Sequence, residues 1–122
     1  MSTRCTIHFH DALEAEPSAI IYRHMDGYPD TEHGVPASLD RFFVAVQEQT
    51  PGDTRFADGA YLAAKFLVWQ AGQNGGDAMR PLAFLSVAPL LHDPADIDYR
   101  YHVRCLPHFT DGIPTVDYEE VR

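Results

Sequence analysis

Histidines near the amino terminus have the residue types and the spacing of metal ligands. His8 and His10 lie two positions apart in a segment that alternates apolar and polar residues, so their imidazoles point to the same side of a strand. His24 and Asp26 follow the next apolar segment and could complete a four-ligand set for zinc or another divalent cation. A metal-bound water would then be the nucleophile of a metal-dependent hydrolase. The alternative is a solvated strand face, because His-x-His also occurs where no metal binds.

Arginines on predicted strands form a second candidate site, for an anion. The four are Arg4, Arg23, Arg100 and Arg104, out of nine basic residues in the chain. A guanidinium binds phosphate or carboxylate through paired hydrogen bonds, so a cluster on one sheet face would concentrate a negatively charged ligand. The more frequent arrangement is cross-strand pairing with carboxylates such as Asp98, Asp117 and Glu119.

A third candidate lies in the turn at 26–29, just after the second apolar segment. Tyr22, His24, Asp26 and Tyr28 could form an acid/base cluster, because the unperturbed pKa of an imidazole allows proton transfer near neutral pH. The same residues fit an ordinary turn, in which aspartate caps the backbone and proline fixes the exit. No nucleophile activated by a neighbouring base accompanies them, so the structural role is favoured.

Two helix patterns separate the strand patterns that position these side chains. Apolar residues at helical spacing predict one helix from Pro36 to about Thr50 and a second one, capped by Asp58, that ends before Gly72. Period-two alternation and apolar runs predict strands at 3–11, 18–24, 81–90, 97–105 and 116–119, with 81–90 as a central strand. The order β-β-α-α-β-β-β indicates an α+β fold, with an antiparallel sheet of about five strands and two helices packed on one face.

The alternation also predicts which residues share the other face of the sheet. If the helices cover Ile7, Phe9 and Tyr101, the opposite face is basic and rich in imidazole. Its predicted residues are Arg4, Thr6, His8, His10, Arg100, His102 and Arg104.

Length and composition restrict the function classes. The 122 residues suit a single domain over 1–122. The formal net charge of −9 argues against binding to duplex nucleic acid, whose phosphates would repel the chain. No apolar stretch reaches the roughly 18 residues of a membrane span, so we expect a cytoplasmic protein without a membrane partner. Cys5 and Cys105 are expected to be buried, reduced thiols.

The segments Ser2–Ile7 and Ile21–Pro29 resemble a group of small proteins found in phage, prophage and bacterial genomes. Those proteins open with Ser-Thr-Arg and carry a segment similar to Tyr-Arg-His-x-Asp-Gly-Tyr-Pro. The resemblance covers about the first quarter of the chain and implies a mobile-element setting, with no activity attached. It implies that, among the candidate site residues, the most important are Arg4, Arg23, His24 and Asp26.

The leading hypothesis is a non-catalytic binding domain that holds a small anionic ligand or a host protein, by sequestration or inhibition, and needs no cofactor. The expected ligand contacts are Arg4, Arg23, His24, Asp26, Tyr28, Arg100, His102 and Arg104. One alternative is the metal-dependent hydrolase that would use His8, His10, His24 and Asp26. Another is a structural domain that forms a homodimer through its exposed sheet face.

Overall fold

Five strands and two helices follow one another in the order that the sequence predicts. The computed structural model describes residues 3–24, 27–49, 56–73, 85–88, 96–108, 110 and 112–121. The elements are β1 (Cys5–His10), β2 (Ala19–Arg23), α1 (Val35–Gln49), α2 (Gly59–Ala71), β3 (Leu85–Ala88), β4 (Tyr99–Arg104) and β5 (Thr115–Glu120). The α+β class and the element order are therefore confirmed.

Both helices follow the local signals that predict them. The Asp58 side chain caps α2, because its Oδ1 accepts a hydrogen bond from the backbone N–H of Tyr61 at 3.0 Å. Gly72 follows the last residue of α2. The apolar stripe of α1 is buried over Leu39, Phe42, Phe43 and Val46. No helix among the described residues is long and apolar enough to cross a membrane.

The sheet order β3-β2-β1-β4-β5 differs from the predicted sheet in two respects. The pairing of β1 with β4 is parallel, whereas the other three pairs are antiparallel. Parallel neighbours require a long crossover, here one that includes both helices, and local alternation carries no record of such a pairing. The predicted central strand at 81–90 is also wrong in its position, since β3 is at an edge of the sheet. Its Val87 is 68% exposed, and the remainder of 81–90 lies outside the described residues.

The core forms between one face of the sheet and the two helices. Phe66 of α2 contacts Phe9 of β1 and Phe42 of α1, with ring centroids 6.0 and 5.2 Å apart. The first residue of α2 contacts the residue that follows β1, because the Gly59 N–H donates a hydrogen bond to Asp11 Oδ1 at 2.7 Å. A Cβ at Gly59 would lie only 3.0 Å from the carbonyl oxygen of Phe9. The buried cluster includes Cys5, Ile7, Phe9, Ile21, Tyr101 and Val103 from the sheet.

The two cysteines are free thiols within this core. Burial is the main reason that the pKa of each thiol is raised to about 12. Both side chains are therefore protonated at neutral pH and behave as small apolar groups.

Candidate functional site

The face of the sheet opposite the helices gathers the predicted histidines, and we call it the histidine face. Its residues are Thr6, His8 and His10 of β1, Arg100, His102 and Arg104 of β4, and Asp117 and Glu119 of β5. In the parallel pairing of β1 with β4, His8 lies beside His102 and His10 lies beside Arg104. The sequence alternation predicted the β1 and β4 residues of this face correctly, and Arg4 directly precedes the first residue of β1.

Three imidazoles form a contact cluster on the histidine face. His10 Nε2 and His102 Nδ1 are 2.8 Å apart, and the ring centroid of His8 lies 5.1 Å from that of His102. His8 Nε2 also forms a hydrogen bond with Thr6 Oγ1 at 3.0 Å. Between two imidazoles, one ring must donate and the other must accept, so this pair favours at least one neutral ring.

The surroundings of His10 disfavour its charged form. Desolvation is the largest cause that lowers the pKa of His10, followed by the positive charges of His102 and Arg104. The backbone carbonyls of Glu16 and Glu14 act in the opposite direction but do not outweigh these causes. The ring is therefore neutral in the folded protein at neutral pH.

Arginines of this region pair with carboxylates of the same chain. Arg100 Nη1 lies 2.8 Å from Glu119 Oε1 across the β4–β5 pair. The hydrogen bond from Arg100 is the largest cause that lowers the pKa of Glu119, and His102 contributes in the same direction. Arg104 Nε similarly lies 3.1 Å from an oxygen of Asp117, which is its diagonal neighbour on β5, since Asp117 is in register with His102. The pairing alternative therefore describes these two arginines, and their charges are locally balanced.

Arg4 lies at the start of β1 and has acidic partners as well. Its guanidinium forms an ion pair with Asp96, and its backbone N–H donates to Asp98 Oδ2 at 3.1 Å. Arg4 therefore links the residue before β1 to the residues before β4.

The metal-ligand set predicted from sequence is not assembled among the described residues. No group of three or more His, Cys, Asp or Glu side chains there is placed to hold a metal ion. His8 and His10 meet His102, whereas His24 Nδ1 lies 3.0 Å from the hydroxyl of Tyr22. Asp26, which was predicted both as a metal ligand and as an anion contact, lies outside the described residues.

Arg23 lies on the helix side of the sheet, away from the other strand arginines. Alternation along β2 places it on the same side as Ile21, and it pairs in register with the buried Cys5. Only 2% of Arg23 is exposed. Its Nη2 donates to the carbonyl of His33 at 2.6 Å, and its Nη1 donates to Ser38 Oγ at 3.3 Å.

A cavity of about 280 Å³ opens beside this buried guanidinium, and we call it the arginine pocket. It is lined by Arg23, Glu32, His33, Ser38, Arg41, Gln70 and Gln73. Arg23, Ser38 and Gln70 are buried, whereas Glu32 and Arg41 are exposed at the rim. The pocket thus joins the end of β2, the first turns of α1 and the last turn of α2.

Gln70 is the member of the pocket whose hydrogen bonding is incomplete. The side chain is 5% exposed. Its Oε1 is buried and accepts no hydrogen bond within the part of the chain that the structure describes. An orphaned buried acceptor is uncommon in native proteins, because it has lost its water without a replacement.

Sequence reasoning missed the polar residues of this pocket, although a signal for two of them was present. Ser38 is four residues before Phe42, and Gln70 is four residues after Phe66, so each lies on the buried stripe of its helix. A polar residue on such a stripe requires a buried hydrogen-bond partner. Arg23 gave a similar signal, because it continues the apolar alternation of Ile21.

Tyr28 belongs to neither region. Its ring centroid lies 6.5 Å from that of Tyr99, and its carbonyl accepts a hydrogen bond from the backbone N–H of Val35. The preceding Gly27 allows close contact with the start of β1, since a Cβ there would lie 2.9 Å from the carbonyl oxygen of Thr3. The turn therefore positions Tyr28 against β4 instead of against the arginines.

Comparisons with protein-family models, with curated proteins and with solved structures each found no match to this chain. Any function must therefore be inferred from the residues of the chain itself.

Proposed function

We propose that this protein is a non-catalytic binding domain that holds a small anionic ligand in the arginine pocket. The observation that carries the proposal is the joint burial of Arg23, Ser38 and Gln70 at one cavity, with Gln70 Oε1 lacking a donor among the described residues. A buried cation beside a cavity attracts an anion more strongly than an exposed one, because less water screens the interaction.

The guanidinium of Arg23 is held in place before any ligand arrives. Hydrogen bonds to the carbonyl of His33 and to Ser38 Oγ restrain its planar group. Binding therefore orders little of this long side chain, whose flexibility would otherwise oppose association. A guanidinium restrained in this way is suited to phosphate or carboxylate oxygens.

The charged residues at the rim determine which ligand charge the pocket favours. Arg41 adds a second guanidinium, and its Nη1 donates to the backbone carbonyl of Glu32 at 3.3 Å. The acidic residue Glu32 also lines the pocket beside the two arginines. This balance favours an anion of low charge over a polyanion.

The orphaned oxygen of Gln70 adds a second requirement for the ligand. This oxygen is closed to solvent, so a ligand reaches it only when the Gln70 side chain rotates, and it then requires an O–H or N–H, which a fully deprotonated anion lacks. Hydrogen phosphate, a phosphate monoester with a free hydroxyl, or a hydroxycarboxylate supplies both an anionic oxygen and a donor. The resemblance of the amino-terminal segments to proteins of phage and prophage genomes supports sequestration of such a ligand as the role.

The test is a titration with inorganic phosphate and with glycolate, followed by amide chemical shifts at low ionic strength. We expect saturable shifts at Ser38, Arg41, Gln70 and Gln73. Arg41→Glu should weaken binding by about tenfold, as loss of one charge-assisted hydrogen bond predicts. The matched control is Arg104→Glu on the histidine face, which changes the net charge equally and should leave the affinity within about twofold.

Two results would contradict the proposal. One is the absence of saturable shifts at the pocket amides with either anion. The other is equal weakening in Arg41→Glu and Arg104→Glu, which would mean that the anions respond only to the overall charge of the protein. Arg23→Glu is not a suitable binding variant, because it would bury a carboxylate and destabilise the fold.

A further inference from the structure

Exposed tyrosines gather on the helix side of β4 and β5, at the part of the sheet farthest from β2. The ring centroids of Tyr99 and Tyr28 are 6.5 Å apart with an angle of 57° between the ring planes. Those of Tyr99 and Tyr118 are 6.1 Å apart with an angle of 66°. Tyr28 and Tyr118 are 43% and 51% exposed, whereas Tyr99 is half-buried and packs against the core, so the three inclined rings form an aromatic surface at the margin of the core.

Carboxylates border these rings. Glu120 is the direct cross-strand partner of Tyr99 in the pairing of β4 with β5. The pKa of Tyr99 is raised first by desolvation and then by the negative charges of Glu120 and Asp30. We call Tyr28, Asp30, Tyr99, Tyr118 and Glu120 the tyrosine surface. Its aromatic faces and its charge both favour a cation.

The same chain shows this kind of contact elsewhere. Lys65 Nζ lies 4.3 Å from the centroid of the half-exposed Tyr61 ring on α2. No lysine or arginine of the described residues lies over the rings of the tyrosine surface. Those rings are therefore available to a cation from another molecule.

The geometry of β5 indicates how such a cation would be presented. It is an edge strand of the described sheet, and five of its six residues are exposed. An edge strand can pair with an extended segment of another protein. Pairing with β5 of a second copy would set a strand with three carboxylates beside an identical strand, which like-charge repulsion disfavours.

We propose that the tyrosine surface and the edge of β5 bind a basic, extended segment of a partner protein, with its arginine or lysine side chains against Tyr99 and Tyr118. The partner adds to the sheet as a sixth strand beside β5. Its main chain supplies the hydrogen bonds, and its cations contact the aromatic rings and Glu120. This interaction is independent of the anion in the arginine pocket.

The probe is a short acetylated peptide in which arginine alternates with threonine, and its counterpart carries glutamate in place of arginine. We expect the basic peptide to shift the amides of 115–120 and the ring protons of Tyr118, and the acidic peptide to shift neither. Tyr118→Ala should weaken binding by about three- to fivefold, the effect of one exposed cation–π contact. Glu120→Lys should weaken it at least as much, because it replaces attraction by repulsion.

The matched control is Tyr61→Ala, which removes an equally exposed tyrosine whose ring already has a cation from its own helix. Equal weakening in Tyr61→Ala and Tyr118→Ala would overturn the proposal, as would equal binding of the acidic peptide. A dimer in light scattering that Tyr118→Ala dissociates would assign this edge to a second copy instead. Thermal unfolding of each variant distinguishes lost binding from lost folding, since Tyr118 is exposed and its removal should leave the midpoint nearly unchanged.

Discussion

The histidine face and the arginine pocket lie on opposite sides of one sheet and place their arginines differently. On the histidine face, Arg100 and Arg104 form ion pairs with half-exposed carboxylates of the neighbouring strand. In the pocket, the buried Arg23 donates to a carbonyl and a hydroxyl beside a cavity. The comparison shows that the side of a strand on which an arginine lies, and not its presence on the strand, determines whether it forms an exposed cross-strand ion pair or is buried beside a cavity.

The largest expected effect is a difference in stability between two variants, each of which reverses the charge of one arginine in one of the two regions. Arg23→Glu should lower the free energy of unfolding by at least about 3 kcal/mol, because it buries a carboxylate among groups that bind a guanidinium. Arg104→Glu makes the same change in charge at an exposed pair and should cost about 1 kcal/mol or less. Urea unfolding of the two variants measures the difference. Equal midpoints would show that Arg23 is not buried as described.

Acidification should lower stability through His10 of the histidine face. The folded-state pKa of His10 is lowered relative to about 6.5 in the unfolded chain, so the unfolded state binds more protons in that interval. The contribution of His10 to stability is therefore complete above about pH 6.5 and declines as the pH falls towards its folded pKa. Thermal melts between pH 7.5 and 5 measure this decline.

Two histidine variants locate the origin of that pH dependence. His10→Gln should flatten the decline, because glutamine has no proton to gain in this interval. His33→Gln is the matched control, because it makes the same replacement at an exposed position on the rim of the arginine pocket. If stability declines with falling pH to the same extent in His10→Gln, other titrating groups cause the decline.

An intermediate effect is expected from Gln70, and it should separate stability from binding. Gln70→Leu removes the buried acceptor that lacks a partner among the described residues, so the free energy of unfolding should rise by about 1 kcal/mol. The same change should weaken phosphate binding, because the donor of the ligand loses its acceptor. Gln73→Leu alters a half-buried residue of the same pocket and provides the control. A loss of stability in Gln70→Leu would indicate that Gln70 has a structural role instead.

The smallest effect is expected from the ion pairs of the histidine face. Asp117→Asn breaks the exposed contact with Arg104 and should cost about 0.5 kcal/mol or less. High salt should further reduce the difference in the free energy of unfolding between this variant and the unsubstituted protein, since exposed charges are screened. Chemical unfolding at low and high ionic strength measures it. A cost several times larger would show that this surface pair is coupled to the core.

Sequence patterns placed some of the candidate site residues correctly and grouped others incorrectly. Alternation placed His8, His10 and His102 on one face correctly because that property depends only on neighbours within each strand. The metal set with His24 depended on an assumed contact between strands, and the described structure brings His8 and His10 to His102 instead. Arg23 was grouped with the other strand arginines by residue type, whereas its position relative to Ile21 already indicated the buried side.

The sequence by itself determined the local elements of this protein: the buried stripe of α1, the Asp58 cap of α2 and the alternating faces of β1 and β4. These features arise from interactions between residues a few positions apart, which local patterns record. Only the tertiary structure decided the parallel pairing of β1 with β4 and the meeting of Arg23, Ser38 and Gln70 at one cavity. Those contacts join segments far apart in the chain, and their register depends on how the helices and the sheet fill a common core.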